Sequence, residues 1–191
     1  MEKYKFTKTW FIGSEIHKEL LKHLNSIDQI NALEIGCFEG LSACFFSDNI
    51  LDNIESTLDC VDPFIESGTN SEITSKYINN TIFENFVHNI SISKNFSKIT
   101  FHRMMSDDFF KKNNKFFNFI YIDGCHEPEY ITRDMENSFS VLEKNGIMWM
   151  DDYKGGDYPN LCKIPIDTFL EKHLGEYIII HKGYQLAIKK I

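Results

Sequence analysis

Four residues in two short stretches could do chemistry together. Asp123 and His126 lie in Ile122-Asp123-Gly124-Cys125-His126, and Asp151 and Asp152 follow Trp149-Met150. Three carboxylates crowded onto one rim would repel one another. A hard divalent cation such as Mg²⁺ removes that conflict, because it takes oxygen ligands rather than thiols. A bound cation lowers the pKa of an oxygen it touches, and a histidine beside it can carry the proton away. The chemistry this set suits is activation of a hydroxyl as a nucleophile.

For these residues to meet, two strands must end side by side. Phe117 to Ile122 is an apolar run rich in aromatic and β-branched residues, and Gly146 to Met150 is a second. Such runs, bounded by turn residues, predict strands buried on both faces. In an open α/β sheet, chemistry collects just past the carboxyl ends of the strands, where Asp123 and Asp151 fall. Ala32 to Gly36, Leu58 to Asp62 and Ile99 to Met104 read as three further strands.

Helices are expected between them. Ser14 caps one that carries Ile16, Leu20, Leu21 and Leu24; others run through Ala43 to Phe46, around Ile78 to Ile90, over 127 to 144 and over Ile166 to Leu174. Five strands alternating with helices predict a parallel, doubly wound α/β sheet. Tyr177 to Ile180 and Tyr184 to Ile188, joined at Lys182-Gly183, must form an antiparallel hairpin. With no repeat, low-complexity tract or linker, residues 1–191 are expected to form one domain, with 1–30 packing over the site as an N-terminal segment and helix. The loop from Lys154 to Pro165 carries Gly155-Gly156 as a hinge and is expected to close over an acceptor.

Composition excludes some partners. Against 20 Lys and Arg stand 28 acids, a formal charge of −8, so no basic groove for nucleic acid is expected. No apolar run approaches a membrane span. Cys37, Cys44, Cys60, Cys125 and Cys162 contain no C-x-x-C pair, which argues against a zinc site or a disulfide framework. A cytoplasmic, reducing compartment is the expectation, and a homo-oligomer is left open.

The turn after the first strand, Glu34-x-Gly36-x-x-x-Gly40, places Phe38 where a dinucleotide site needs bare backbone against its pyrophosphate. A phosphate-free adenosine ligand fits better. Asp62, ending the second strand, is the usual partner of ribose hydroxyls.

With these motifs the chain resembles the class I S-adenosylmethionine-dependent methyltransferases, in their metal-dependent O-methyltransferase branch. The likeness rests on Leu33 to Ala43, Val61-Asp62-Pro63-Phe64, Tyr121 to His126, Met150-Asp151-Asp152-Tyr153 and the Gly183 to Ala187 hairpin. It is similar to enzymes acting on macrolide sugars and catechols. The resemblance implies a Rossmann-like sheet of seven strands in the order 3-2-1-4-5-7-6. It implies that Glu34, Gly36, Phe38 and Ser42 line the methionine end of the cofactor, that Gly40 and Asp123 also belong to the cofactor site, that Asp62 holds the ribose, and that Ser106 and Asp107 meet the adenine. It further implies Asp123, Asp151 and Asp152 as metal ligands and His126, with Asp123, as the catalytic pair.

The expectation is therefore O-methylation of a small hydroxylated acceptor, a sugar or glycan precursor. A phenol or catechol is the rival acceptor. A cofactor-binding protein without turnover is the rival of a different class, and a nicotinamide-dependent oxidoreductase is disfavoured by the glycine turn and the hairpin.

Overall fold

The structure, a computed structural model, describes residues 3–24, 27–65, 80–155 and 161–191. Seven strands form one sheet: β1 (Asn31–Ile35), β2 (Thr57–Val61), β3 (Ile99–His102), β4 (Phe117–Ile122), β5 (Leu142–Met150), β6 (Tyr177–Lys182) and β7 (Leu186–Lys190). Their order is β3-β2-β1-β4-β5-β7-β6, as expected. The first five run parallel, and β7 pairs antiparallel with both β5 and β6.

Alternating side chains feed two cores. Ala32, Leu58, Cys60, Phe119, Tyr121, Ile147 and Trp149 pack with α1 (Glu15–Leu24), α2 (Leu41–Ile50) and α3 (Asn80–Ser91). Leu33, Ile35, Val61, Ile120, Ile122, Met148 and Met150 pack on the other face with α4 (Ser106–Lys112), α5 (Pro128–Val141) and α6 (Lys163–Lys172). This two-sided burial is why the strands read as continuous apolar runs. Within the α1–α3 core, Phe46 lies edge-on to both Phe119 and Tyr121, at 5.4 and 5.6 Å between ring centres.

Several boundaries differ from the sequence reading. α5 stops at Val141 and β5 begins at once with Leu142, so Gly146 lies inside the strand rather than past a helix end. The polar Lys144-Asn145-Gly146 suggests a turn, but it lies within the strand, with Lys144 and Asn145 exposed and Asn145 in the left-handed region at φ 66°. β3 ends at His102 because the Met104 N–H turns back to the His102 carbonyl, 3.0 Å away. Tyr184 and Gln185 belong to the hairpin turn, not to β7. α6 starts at Lys163 instead of Ile166. Gly156 to Asn160 of the expected lid, and Ile78 of the expected third helix, lie outside the described residues. No helix among the described residues is long and apolar enough to cross a membrane.

Candidate active site

The parallel strands bring Ile35, Val61, His102, Ile122 and Met150 to one rim, and the chemistry-bearing residues lie immediately beyond. Two turns meet there. Gly36 follows β1 with φ 85°, and a Cβ on it would sit 2.0 Å from the Asp123 carbonyl oxygen and 2.7 Å from the Gly124 Cα. Only glycine lets the two backbones approach this closely. Gly40 serves a different purpose: it is left-handed at the start of α2, and a Cβ would press on the Phe86 ring at 2.9 Å, so it packs a helix rather than a ligand.

Asp62 locks the glycine turn. One of its oxygens accepts the Cys37 and Phe38 N–H groups at 2.8 and 2.9 Å, and the other accepts the Phe64 N–H. Burial raises the Asp62 pKa, and the three backbone donors work against that rise. The two N–H groups that could cradle a phosphate are thus already committed to a carboxylate. Asp62 itself stays partly exposed, with lone pairs left for a ribose hydroxyl. Phe38 is held at φ 46°, and its ring lies 5.5 Å from that of Trp10, which is 74% exposed.

Glu34, expected at the methionine end of the cofactor, points inward. It is fully buried beneath the turn, where Ser42 donates to one carboxylate oxygen and the Cys60 thiol lies 3.6 Å from the other. Glu34 and the nearly buried Ser42 brace the turn from below. Burial pushes the Glu34 carboxyl up to about 7 against those hydrogen bonds. Ser106 and Asp107 open α4 and keep part of their surface exposed, and Asp107 pairs with Arg133 of α5 at 3.1 Å. On α5, burial raises Asp134 to about 6, and its Oδ1 has no hydrogen-bond partner among the described residues.

At the acidic turn, Asp123, His126 and Asp152 each offer a ligand atom within 4.8 Å of the others. His126 Nε2 lies 3.0 Å from Asp152 Oδ2, and this contact raises the His126 pKa against the effect of burial. Burial pushes Asp152 up, but hydrogen bonds from His126 and Tyr184 outweigh it and hold the carboxyl below its usual range. Asp123 keeps part of its surface at the rim while its carboxyl is enclosed; burial, then Asp151 and Asp152, drive its pKa well up. Asp151 is turned aside. It accepts the Tyr121 hydroxyl at 2.6 Å and is not within that cluster of three.

Tyr121, Tyr184 and Gln185 join the site without having been expected there. The Tyr121 hydroxyl also lies 3.2 Å from Asp123 Oδ2, so one phenol spans the two strand-end acids. Residues two apart on a strand share a face, and the Tyr121–Asp123 spacing carried that signal. Tyr184 and Gln185 approach from about thirty residues away, where no local pattern could place them. A second donor group, Glu34 with Cys37 and Cys60, is entirely buried, and all five cysteines are free.

Comparison with known proteins gives a family and a fold. A family model described as a methyltransferase domain matches residues 33–153, from β1 to just past the acidic turn. No curated protein matches the chain. Among solved structures, an O-methyltransferase from Bacillus cereus in complex with S-adenosylhomocysteine is 13% identical over 93% of this chain and 81% of its own, with a TM-score of 0.64. TomG, an O-methyltransferase of tomaymycin synthesis from Streptomyces achromogenes in complex with S-adenosylmethionine, is 14% identical over 97% and 81%, with a TM-score of 0.64. A candidate rRNA methylase from Clostridium thermocellum is 14% identical over 91% and 96%, with a TM-score of 0.65. At these identities the likeness is one of fold.

Proposed function

Because this chain belongs to the methyltransferase-domain family, we propose that it carries a methyl group from S-adenosylmethionine to a hydroxyl oxygen of a small acceptor, a sugar, with a divalent cation and His126 preparing that oxygen. The observation that carries the reading is the convergence of Asp123, His126 and Asp152 within 4.8 Å, with the Asp123 backbone against the Gly36 turn.

The residues present fit both groups. A phosphate-free adenosine suits a turn whose Cys37 and Phe38 N–H groups are already taken by Asp62. A hard cation suits oxygen donors with one imidazole, and it would offset both the burial and the Asp151 and Asp152 charges that drive Asp123 upward. Asp123 and Asp152 would hold it, with Asp151 close behind. When bound, a divalent cation lowers the pKa of an acceptor hydroxyl, and S-adenosylmethionine supplies an activated methyl on a sulfonium.

The protein's own part is positioning and proton transfer. Asp62 orients the ribose, and the Gly36 turn sets its distance from Asp123. With Nε2–H given to Asp152, a neutral His126 carries its lone pair at Nδ1, the atom that takes the acceptor proton. The raised His126 pKa makes it a stronger base. That favours an alcohol, which holds its proton more tightly than a phenol of pKa about 10. The acidic charge of −8 favours a small acceptor over nucleic acid. We place the reaction in the cytoplasm, the reducing compartment that suits five free cysteines.

The exposed Trp10 ring beside Phe38 favours a second reading, a flat phenol or catechol as acceptor. A transfer assay with labelled S-adenosylmethionine on sugars, nucleotide sugars and catechols, with and without EDTA, separates the readings. Sugar turnover lost in EDTA is expected. Full turnover in EDTA removes the cation, catechol-only turnover promotes the second reading, and binding of S-adenosylhomocysteine with no turnover on any acceptor leaves a non-catalytic binder.

A further inference from the structure

We infer that Tyr184 is a positioning residue for Asp152, held from behind by Glu15, so that the tip of the β6–β7 hairpin sets the direction of the acidic turn. The inference rests on the reading of Asp152 as part of the acceptor-activating group.

Asp152 sits in the left-handed region at φ 52°, a conformation that the local chain does not favour, so its carboxylate needs partners to fix it. It has two. Oδ2 meets His126, and Oδ1 accepts the Tyr184 hydroxyl. The Tyr184 ring lies against Gly155, where a Cβ would come within 1.9 Å of it, and the Tyr184 carbonyl accepts the Lys154 N–H at 2.9 Å. The hairpin tip therefore grips the backbone after Asp152 as well as its side chain.

Glu15, on the first turn of α1, holds the tip on its other side. Its Oε1 accepts the Tyr184 N–H at 3.0 Å, and its Oε2 accepts the Gln185 N–H at 2.7 Å and His181 Nε2 at 2.8 Å. Gly183 leaves room for that carboxylate, since a Cβ there would be 2.1 Å from Oε1. Gln185 extends the arrangement. Its Oε1 is occupied by the Trp149 Nε1–H at 3.1 Å and the Ile16 N–H at 2.6 Å, which ties the hairpin tip to β5 and to α1. Tyr184 is 46% exposed and contributes little to either core, so packing alone does not account for its placement.

Tyr184→Phe removes one oxygen and keeps the ring. In calorimetry on EDTA-stripped protein, it should weaken Mn²⁺ binding about 10- to 100-fold, the usual cost of losing a partner that orients a metal ligand. S-adenosylhomocysteine affinity and the urea midpoint should stay at wild-type values. Glu15→Gln should weaken Mn²⁺ binding in the same direction, and Tyr184→Phe should cost less in that background than in the wild type. Equal Mn²⁺ affinity in wild type and Tyr184→Phe overturns the inference. If the wild type binds no Mn²⁺, the cation reading of the site fails, and turnover then judges Tyr184. A kcat at least tenfold lower at unchanged KM for S-adenosylmethionine upholds its role, and a wild-type kcat overturns it.

Discussion

Replacing Glu34 by Gln should flatten the pH dependence of stability between about pH 4.5 and 7. Glu34 is 0% exposed, and burial lifts its carboxyl from 4.5 to about 7 despite the hydrogen bonds from Ser42 and Cys60. A raised folded-state pKa means that the folded protein keeps a proton which the unfolded chain has released. The stability this contributes is full below pH 4.5 and is lost as pH rises to about 7. The shift of about 2.5 units, 7 less 4.5, corresponds to about 3 kcal/mol at about 1.4 kcal/mol per unit. Gln keeps the shape and an oxygen for the Ser42 hydroxyl, and has no proton to lose. Urea unfolding of both proteins at pH 4.5, 6 and 7.5, in EDTA, measures the difference. Asp62, Asp123 and Asp151 are raised as well, but they act in both proteins and cancel in the comparison. The variant should gain about 3 kcal/mol on the wild type across that range. Parallel curves would refute the argument that burial governs Glu34. S-adenosylhomocysteine affinity should hardly change, and a tenfold loss would return Glu34 to the ligand surface.

Three further outcomes test the site. Gly36→Ala should destabilise by about 2–4 kcal/mol, because its Cβ would collide with the Asp123 backbone, whereas Gly13→Ala, also left-handed but with nothing within 4 Å, should cost about 1–2 kcal/mol; equal urea midpoints would remove the close approach as the reason. Asp62→Asn places an amide against the Cys37 and Phe38 N–H groups and should weaken S-adenosylhomocysteine binding by about 1–3 kcal/mol in calorimetry. Unchanged affinity would mean that Asp62 serves the turn alone. His126→Ala should lower turnover about 10²- to 10⁴-fold with cofactor affinity unaltered; wild-type turnover would end its role as base.

The sheet was legible because β1, β2, β4 and β5 are buried on both faces and read as apolar runs ending in acids or glycine. Asp123, His126 and Asp152 were legible for the same reason: they follow those strands directly. What escaped depends on contacts between distant segments. Tyr121 reads as one more aromatic of a core strand until its hydroxyl is seen against Asp151, thirty residues on. Tyr184 and Gln185 read as the start of a strand, yet the Glu15 carboxylate takes their N–H groups and makes them a turn. Glu34 misleads in the opposite sense. An acid before a glycine turn suggests ligand contact, but β-strand alternation points it inward at Ser42 and Cys60.

The grip of Glu15 on Gln185 joins residues 170 apart in sequence, whereas the β1–β2 pairing spans about 26. Closing so long a loop is slow and contributes late in folding. On the ribosome, the first four parallel strands can pair, and the Gly36 turn can close on Asp62, well before residue 184 emerges. A nascent chain could then hold the Asp62-locked turn proposed for adenosine while Asp152 still lacks the hairpin that aims it. The two halves of the site would mature in sequence, cofactor side first, and the acidic turn would gain its final direction only when the last strands are laid down.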